Sequence, residues 1–183
     1  MNNIGKQRLW RLAVGVVLLF NGPVGALAGD GPHMDLPAWD QTIPAAKRFV
    51  VLSNFDNQAV LDRETGLVWE KSPDTTMHAW PGSDVAIACA NKAVGGRKGW
   101  RLPSIHEIAS LIDPSVAAPG PTLPAGHPFM NVQSATYWSA TTVAALPTNG
   151  WLLTFASGDV NSNPKETMQH VWCVRGGGLL DNY

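Results

Sequence analysis

Apolar residues recur at helical spacing directly after Pro103. The positions i, i+3, i+4 and i+7 are filled by Ile105, Ile108, Ala109 and Ile112. This spacing places all four side chains on one face of an α-helix. Pro103 favours an extended backbone before the helix, and Asp113-Pro114 is a typical stop signal. The pattern therefore predicts a helix between residues 104 and 113.

The residues around Pro103 predict a rigid entry to this helix. Ser104 stands at the N-cap and Glu107 follows three residues later, which is the capping box in which each side chain binds a backbone N–H of the other residue. Trp100 is a large apolar anchor before the turn. Arg101 lies between two residues that we expect to be buried, so its guanidinium is either buried with a carboxylate or directed at a ligand. We predict structural roles for Trp100, Arg101, Pro103, Ser104 and Glu107.

Short apolar runs predict β-strands on both sides of this helix. The runs are residues 49–52, 59–61, 67–69, 137–141, 151–155 and 171–175. Residues 62–66 join two of them, with Asp62 at the start and Gly66 where a positive φ is favourable, so we predict a hairpin.

A second helix is predicted to begin at Ser83 and to end at Gly95-Gly96. Its inner face would carry Val85, Ala88 and Cys89. Residues 113–135 are rich in proline and have no clear period, which predicts a long loop of the functional or disordered kind. Strands near both ends with helices between them indicate an α+β fold, with antiparallel sheets, two short helices and long loops.

The N-terminus predicts a secretory signal peptide over residues 1–28. A positively charged start precedes an apolar run at residues 12–20, and Ala26-Leu27-Ala28 is a cleavage site of the A-x-A type. The run is shorter than the roughly 20 residues that span a bilayer, and Gly22-Pro23 follows it, which disfavours an uncleaved anchor. We expect an exported protein, periplasmic or extracellular, that meets the membrane only through its transient signal peptide.

The remainder of the chain divides into three segments. Residues 29–46 contain three prolines without periodicity and are predicted to be a linker. The predicted domain covers residues 47–177, and residues 178–183 are a short tail.

Net charge makes a local basic cluster stand out. The whole chain has 13 Lys+Arg and 14 Asp+Glu, a net charge of −1, and the chain without residues 1–28 has a net charge of −4. Such a chain is a poor general binder of nucleic acid. Lys92, Arg97 and Lys98, with Arg101 beside them, would suit sulfate or carboxylate groups on a polymer. The alternative is a solvated helix end, where cations are favourable.

The two cysteines, Cys89 and Cys173, favour a disulfide in an exported chain over a metal pair or a catalytic thiol. No second Cys or His lies at zinc-ligand spacing from either one. The sequence has no G-x-S-x-G motif and no recognisable nucleophile–base pair. We therefore expect neither enzymatic activity nor a cofactor.

Residues 159–166 have some features of a calcium loop. Carboxylate and amide side chains alternate there: Asp159, Asn161, Asn163 and Glu166. An EF-hand loop needs Gly at its sixth position and Glu at its twelfth, whereas Pro164 and His170 stand there. A hairpin loop rich in Asn and Pro is the favoured interpretation, and no metal site is predicted.

Five motifs, in this order and spacing, resemble the bacterial domain family typified by the C-terminal domain of the Legionella collagen-like adhesin. They are DRETGLVWE at residues 62–70, AC at 88–89, WRLPS at 100–104 with Glu107, YWS at 137–139 and CVRGG at 173–177. Each motif alone is weak, but their order and spacing make the resemblance specific, and it extends over about residues 48–177.

The resemblance implies a C-type-lectin-like fold whose two ends pair in one sheet and whose distant loops bind ligands. It implies export, paired Cys89 and Cys173, and, for the adhesin member, binding to sulfated glycosaminoglycans. The Arg-Leu-Pro segment is also similar to that of formylglycine-generating enzymes, but their pair of active-site cysteines is not matched here, so enzymatic activity is not implied. The collagen-like repeats that make the adhesin multivalent are absent.

These observations lead to one functional hypothesis and one alternative. The hypothesis is a secreted, non-catalytic binding module that recognises carbohydrate or glycosaminoglycan-like surface polymers, with Lys92, Arg97 and Lys98 as ligand-binding residues. The alternative is a secreted structural or protein–protein interaction domain with a lectin-like fold.

Overall fold

The structure is a computed structural model that describes residues 43–80 and 84–177. Its α-helices are Ala45–Arg48 (α1), Asp84–Ala90 (α2) and Ile105–Ala109 (α3). Its strands are Phe49–Val51 (β1), Ala59–Asp62 (β2), Val68–Glu70 (β3), Met77–His78 (β4), Thr136–Thr142 (β5), Asn149–Thr154 (β6), Asp159–Pro164 (β7), Gln169–His170 (β8) and Val174–Arg175 (β9). The predicted signal peptide, most of the linker and the tail lie outside the described residues.

The strands form two sheets. One has the order β1-β2-β3-β9 and the other the order β4-β8-β5-β6-β7. All pairs are antiparallel except β5 with β8. The predicted α+β class is therefore confirmed. The first and last described strands share a sheet, as the resemblance implied, while the C-type-lectin-like fold itself stays a prediction.

The predicted hairpin at residues 62–66 is confirmed, and one carboxylate organises it. Asp62 accepts hydrogen bonds from the Glu64 N–H (3.0 Å) and from the Thr65 hydroxyl (3.0 Å). The same fully buried carboxylate accepts two bonds from Arg48 at the end of α1. Burying this ion pair is tolerated because its polar atoms have partners, and the pair fastens α1 to the hairpin.

Helix α3 begins as predicted but ends earlier. The capping box is present, with the Ser104 hydroxyl accepting the Glu107 N–H and the Glu107 carboxylate accepting the Ser104 N–H. The helix ends at Ala109 because the N–H groups of Leu111 and Ile112 bond three residues back rather than four, and the Asp113 N–H bonds to the Thr122 carbonyl instead. The predicted continuation to Ile112 is therefore wrong.

Helix α2 also ends before its predicted stop. It runs only to Ala90, five residues before Gly95, while its predicted start at Ser83 lies outside the described residues. Gly95 does not end the helix but allows the chain to approach the Phe55 backbone closely. It has a positive φ of 56°, and any Cβ there would collide with the Phe55 backbone. Val85 and Cys89 are buried as predicted.

Residues 113–135 contain no helix or strand, as predicted, yet they belong to the core. Thr122, Leu123 and Phe129 are buried. The Thr122 N–H bonds to the Phe155 carbonyl at 2.8 Å, and the Met130 N–H bonds to the Lys71 carbonyl at 2.8 Å. This loop is therefore a structural layer rather than a disordered segment.

Two predictions near the C-terminal end are corrected. Residues 159–164 form β7, paired residue by residue with β6, so the hairpin-loop interpretation is wrong. Only Val174–Arg175 of the predicted strand 171–175 is a strand, because residues 171–173 cross from β8 in one sheet to β9 in the other. Within the described ranges, no group of three or more His, Cys, Asp or Glu side chains is placed to hold a metal ion.

The core consists of two hydrophobic clusters and a disulfide. One cluster centres on Trp69, Trp172 and Phe155, and the other on Trp100, Trp138 and the cysteines. The Cys89–Cys173 disulfide is present, fully buried, with a Cα–Cα distance of 5.5 Å. No helix in residues 43–80 and 84–177 is both long and apolar enough to cross a membrane.

Candidate functional site on the 97–101 segment

The 97–101 segment is fixed along one edge of the first sheet. Arg101 and Val174 exchange two backbone hydrogen bonds of 2.8 and 2.9 Å, which place the segment beside β9. Trp100 is 2 % exposed, and its indole N–H donates to the Arg97 carbonyl at 2.7 Å. The segment is therefore anchored from inside by Trp100 and along its edge by β9, while the side chains of Arg97 and Lys98 remain exposed.

The sequence left open whether the Arg101 guanidinium pairs with a carboxylate or is directed at a ligand, and the structure shows the carboxylate pair. Its guanidinium binds both carboxylate oxygens of Glu107, one of them at 2.8 Å, and also donates to the Gly176 carbonyl at 2.7 Å. Burial alone would raise the pKa of Glu107, but hydrogen bonds from Arg101 and Ser104 outweigh it and the pKa is lowered. Gly177 packs over this pair with a φ of 80°, and a Cβ there would collide with the Arg101 guanidinium. The predicted structural role of Arg101 thus has a geometric basis.

The half-buried Arg175 lies beside the exposed Arg97 and Lys98, and sequence reasoning missed it. Its Nε donates to the Lys98 carbonyl at 2.9 Å. Its guanidinium lies 5.8 Å from the centroid of the Phe55 ring, and that of Arg97 lies 5.3 Å from the same ring, distances at which a cation is attracted to an aromatic face. Arg97, Lys98 and Arg175 therefore lie together, and we call them the basic surface.

Among the residues that the structure describes, the three cations of the basic surface have no carboxylate partner. In the described part of the chain, the ion pairs involve Arg48, Lys92 and Arg101 but none of these three. Their charge is therefore available to an anionic partner.

Lys92 differs from the other predicted ligand residues. Its ammonium lies 2.7 Å from Oε1 of Glu70, and its side chain is 23 % exposed. The other carboxylate oxygen of Glu70 accepts the Cys173 N–H at 2.9 Å. Burial raises the pKa of Glu70, and the hydrogen bond from Lys92 opposes that shift. Lys92 thus links the end of α2 to the strand region that the disulfide also holds, and its role in ligand binding stays a prediction.

The tryptophans that the structure describes offer little exposed surface for stacking on sugars. The six that the structure describes are buried or half-buried: Trp69, Trp80, Trp100, Trp138, Trp151 and Trp172. The ammonium of Lys165 lies 4.2 Å from the ring centroid of Trp80, so a cation already occupies that ring face. Charge, rather than stacking, is the chemistry that this region offers.

The family model of the Lcl C-terminal domain matches residues 58–175, more than half of the chain. The chain belongs to the Lcl C-terminal domain family. The match includes the 97–101 segment and β9, and it confirms the resemblance drawn from the five motifs. No curated protein matches the sequence. Membership of the Lcl C-terminal domain family marks this protein as an adhesin-associated domain, and a buried disulfide in such a domain is consistent with export.

Proposed function

We propose that this Lcl C-terminal domain is an exported, non-catalytic binding module that holds anionic glycans of a surface polymer, of the sulfated glycosaminoglycan type, on its basic surface. The observation that carries the proposal is the juxtaposition of Arg97, Lys98 and Arg175, three cations without a carboxylate partner in the described residues. Guanidinium groups bind sulfates and carboxylates with paired hydrogen bonds, which an ammonium ion does with less directionality.

The scaffold under the basic surface supports this function. Trp100, the backbone bridge to β9 and the Arg101–Glu107 pair fix the segment, so little conformational entropy is lost when a polymer binds. Exposed charge pairs are weak singly, so one domain binds modestly and its affinity falls with rising salt.

The test is retention on a heparin column of a matched pair of double variants. Arg97→Gln/Lys98→Gln removes two charges from the basic surface. Lys47→Gln/Arg63→Gln removes the same charge from exposed side chains on α1 and the β2–β3 hairpin. We expect the first variant to elute at clearly lower salt than wild type and the second to elute close to wild type, with both variants confirmed as folded by circular dichroism.

Two outcomes would overturn the glycan proposal. One is passage of the wild-type protein straight through the column at low salt. The other is equal retention of the two variants, which would show that net charge alone governs binding.

The second candidate function is protein binding, favoured by a different region. Met77 on β4 is 48 % exposed and Met168, next to β8, is 53 % exposed, and these two strands pair with each other at one end of the second sheet. Exposed methionines suit adaptable protein contacts. This candidate would lead if the heparin experiment gave either contrary result.

A further inference from the structure

A pocket of about 270 Å³ opens beside the basic surface. The 3-10 turn Val94–Gly96 connects the two regions, because Val94 lines the pocket and Arg97 begins the basic surface. The volume is slightly below the roughly 300–1,000 Å³ of sites for drug-sized ligands. The pocket therefore suits a ligand of about one ring.

The floor and walls of the pocket carry polar groups with unused hydrogen-bonding capacity. Among the described residues, each oxygen of the buried Glu70 carboxylate has one hydrogen-bond partner and can accept again. The Gln58 side chain accepts the Gly95 N–H through Oε1, which leaves its amide NH₂ as a donor. The Asn57 side chain has no hydrogen-bond partner among the described residues, and the Ser72 hydroxyl, which accepts from Asn131, can still donate.

The charges around the pocket disfavour an ionic ligand. Lys92 already neutralises Glu70 at 2.7 Å, and Lys71 lines the wall, so an added cation would meet two ammonium groups. An added anion has no hydrogen to donate to the Glu70 carboxylate oxygens, whereas a hydroxyl group does. Val94 and Met130 supply an apolar wall. The donors and acceptors of the pocket match a ring whose hydroxyl groups both donate and accept hydrogen bonds. The apolar wall matches the C–H groups of the same ring.

We propose that this pocket binds one uncharged sugar residue, with Asn57, Gln58, Glu70 and Ser72 as its hydrogen-bonding groups. The site does not depend on the basic surface, so the two proposals can fail separately. A single ring has few atoms with which to gain affinity, so we expect a dissociation constant of about 1 mM.

The test is a titration of the ¹⁵N-labelled exported chain, followed by NMR, with the methyl glycosides of glucose, galactose, mannose and N-acetylglucosamine. The amides to watch are those of Lys71, Gly95 and Met130, whose N–H groups bond across the pocket to Gln58 or Lys71. We expect saturable shifts of these amides with at least one glycoside.

Two variants and a control make the test specific. Met130→Trp places a large ring at the pocket mouth and should abolish the shifts, whereas Met168→Trp alters a similarly exposed methionine outside the pocket lining and should leave them unchanged. Asn57→Gly suits the positive φ of 58° at this position and removes the side chain together with its amide, so binding should weaken about fivefold.

Several results would overturn the proposal. They are the absence of saturable shifts with all four glycosides, equal behaviour of Met130→Trp and Met168→Trp, and matching shifts with sodium acetate or ammonium chloride. Loss of the sugar-dependent shifts in the folded Arg97→Gln/Lys98→Gln variant would also contradict a separate site. Heparin retention of Met130→Trp should remain at the wild-type level, which separates this inference from the proposed function.

Discussion

At the scale of single residues, the 97–101 segment contains two side chains that hold the fold and two that are exposed. Trp100 is buried and Arg101 is bound to Glu107, whereas Arg97 and Lys98 are exposed. Substitutions in the two groups should therefore separate stability from binding.

Trp100→Ala should strongly destabilise the domain. The ring is 2 % exposed, packs 6.4 Å from the Phe55 ring and donates a hydrogen bond to Arg97. Removing a buried ring of this size costs about 3–5 kcal/mol. Urea unfolding measures the loss, and Trp100→Phe, which keeps an aromatic ring, should lose less. An unchanged midpoint for Trp100→Ala would mean that the ring does not pack as described.

Arg175→Gln should weaken glycan binding without weakening the fold. Within the described part of the chain its side chain donates only to the Lys98 carbonyl and lies over Phe55, so stability should stay within about 0.5 kcal/mol of wild type. Heparin elution should shift to lower salt. Arg63→Gln, with the same charge change on the exposed hairpin turn, is the control, and a similar shift there would remove Arg175 from the basic surface.

Sequence reasoning found part of the basic surface for a clear physical reason. Arg97 and Lys98 are adjacent in the chain, so their clustering is visible without a structure. Arg175 lies beside them because the backbone bridge between Arg101 and Val174 brings the two segments together. Lys92 pairs with the Glu70 carboxylate, which is 22 residues away in sequence. Pairing between distant segments is set by the tertiary fold and leaves no local pattern.

At the scale of elements, the start of α3 is the best-defined local structure. Ser104→Ala removes the hydroxyl that accepts the Glu107 N–H and should cost about 1 kcal/mol. Thermal or urea unfolding measures this loss. Ser110→Ala, which removes a hydroxyl bound to the Glu107 carbonyl at the other end of the helix, serves as the comparison and should cost less. An equal or greater loss there would contradict the capping account.

Glu107 should make stability depend on pH in the acid range. Its pKa in the folded state is below the ordinary value of 4.5, because bonds from Arg101 and Ser104 outweigh the effect of burial. The folded state therefore favours the ionised form, and the resulting stability is fully present above the unfolded pKa and is lost as pH falls through the folded pKa. At neutral pH the free energy of unfolding should be higher for wild type than for Glu107→Gln, and this difference should become smaller below pH 4.5.

The pKa of Glu70 is raised in the folded state, so ionisation of Glu70 changes stability with pH in the opposite direction to that of Glu107. Wild type and Glu107→Gln both contain Glu70, so this effect cancels when their unfolding free energies are compared. Unfolding free energies of the two proteins across this range provide the measurement. A gap that stays constant as the pH falls would exclude the Arg101–Glu107 pair as a source of pH dependence.

The elements show where local signals suffice. The capping box and the 62–66 hairpin depend on residues three to five apart, and both were predicted in full. The sequence did not predict where α2 and α3 end, because helix ends also depend on tertiary hydrogen bonds such as that from the Asp113 N–H to the Thr122 carbonyl. It did not predict β7 either, because that strand depends on pairing with β6. Strand β7 is rich in Asn and ends in Pro164, a composition that favours turns when read alone.

At the scale of the whole molecule, the disulfide joins two parts of the core that are 84 residues apart in sequence. Closing a loop of this length restricts the unfolded chain, and the entropy model gives about 4–5 kcal/mol as an upper figure. Cys89→Ala/Cys173→Ala should lose stability up to that amount in urea unfolding. Thiol titration of the denatured, unreduced wild type should find no free thiol, and two free thiols per chain would contradict the bond.

The central claim is that the basic surface binds an anionic glycan. The most direct measurement is a titration of the ¹⁵N-labelled protein with a short heparin oligosaccharide, in which the backbone amide shifts are followed. The account predicts that the largest saturable shifts fall at residues 97–101 and 174–177, and that they disappear in Arg97→Gln/Lys98→Gln. Saturable shifts centred elsewhere, for example on β4 and β8, or no shifts at low salt, would contradict it.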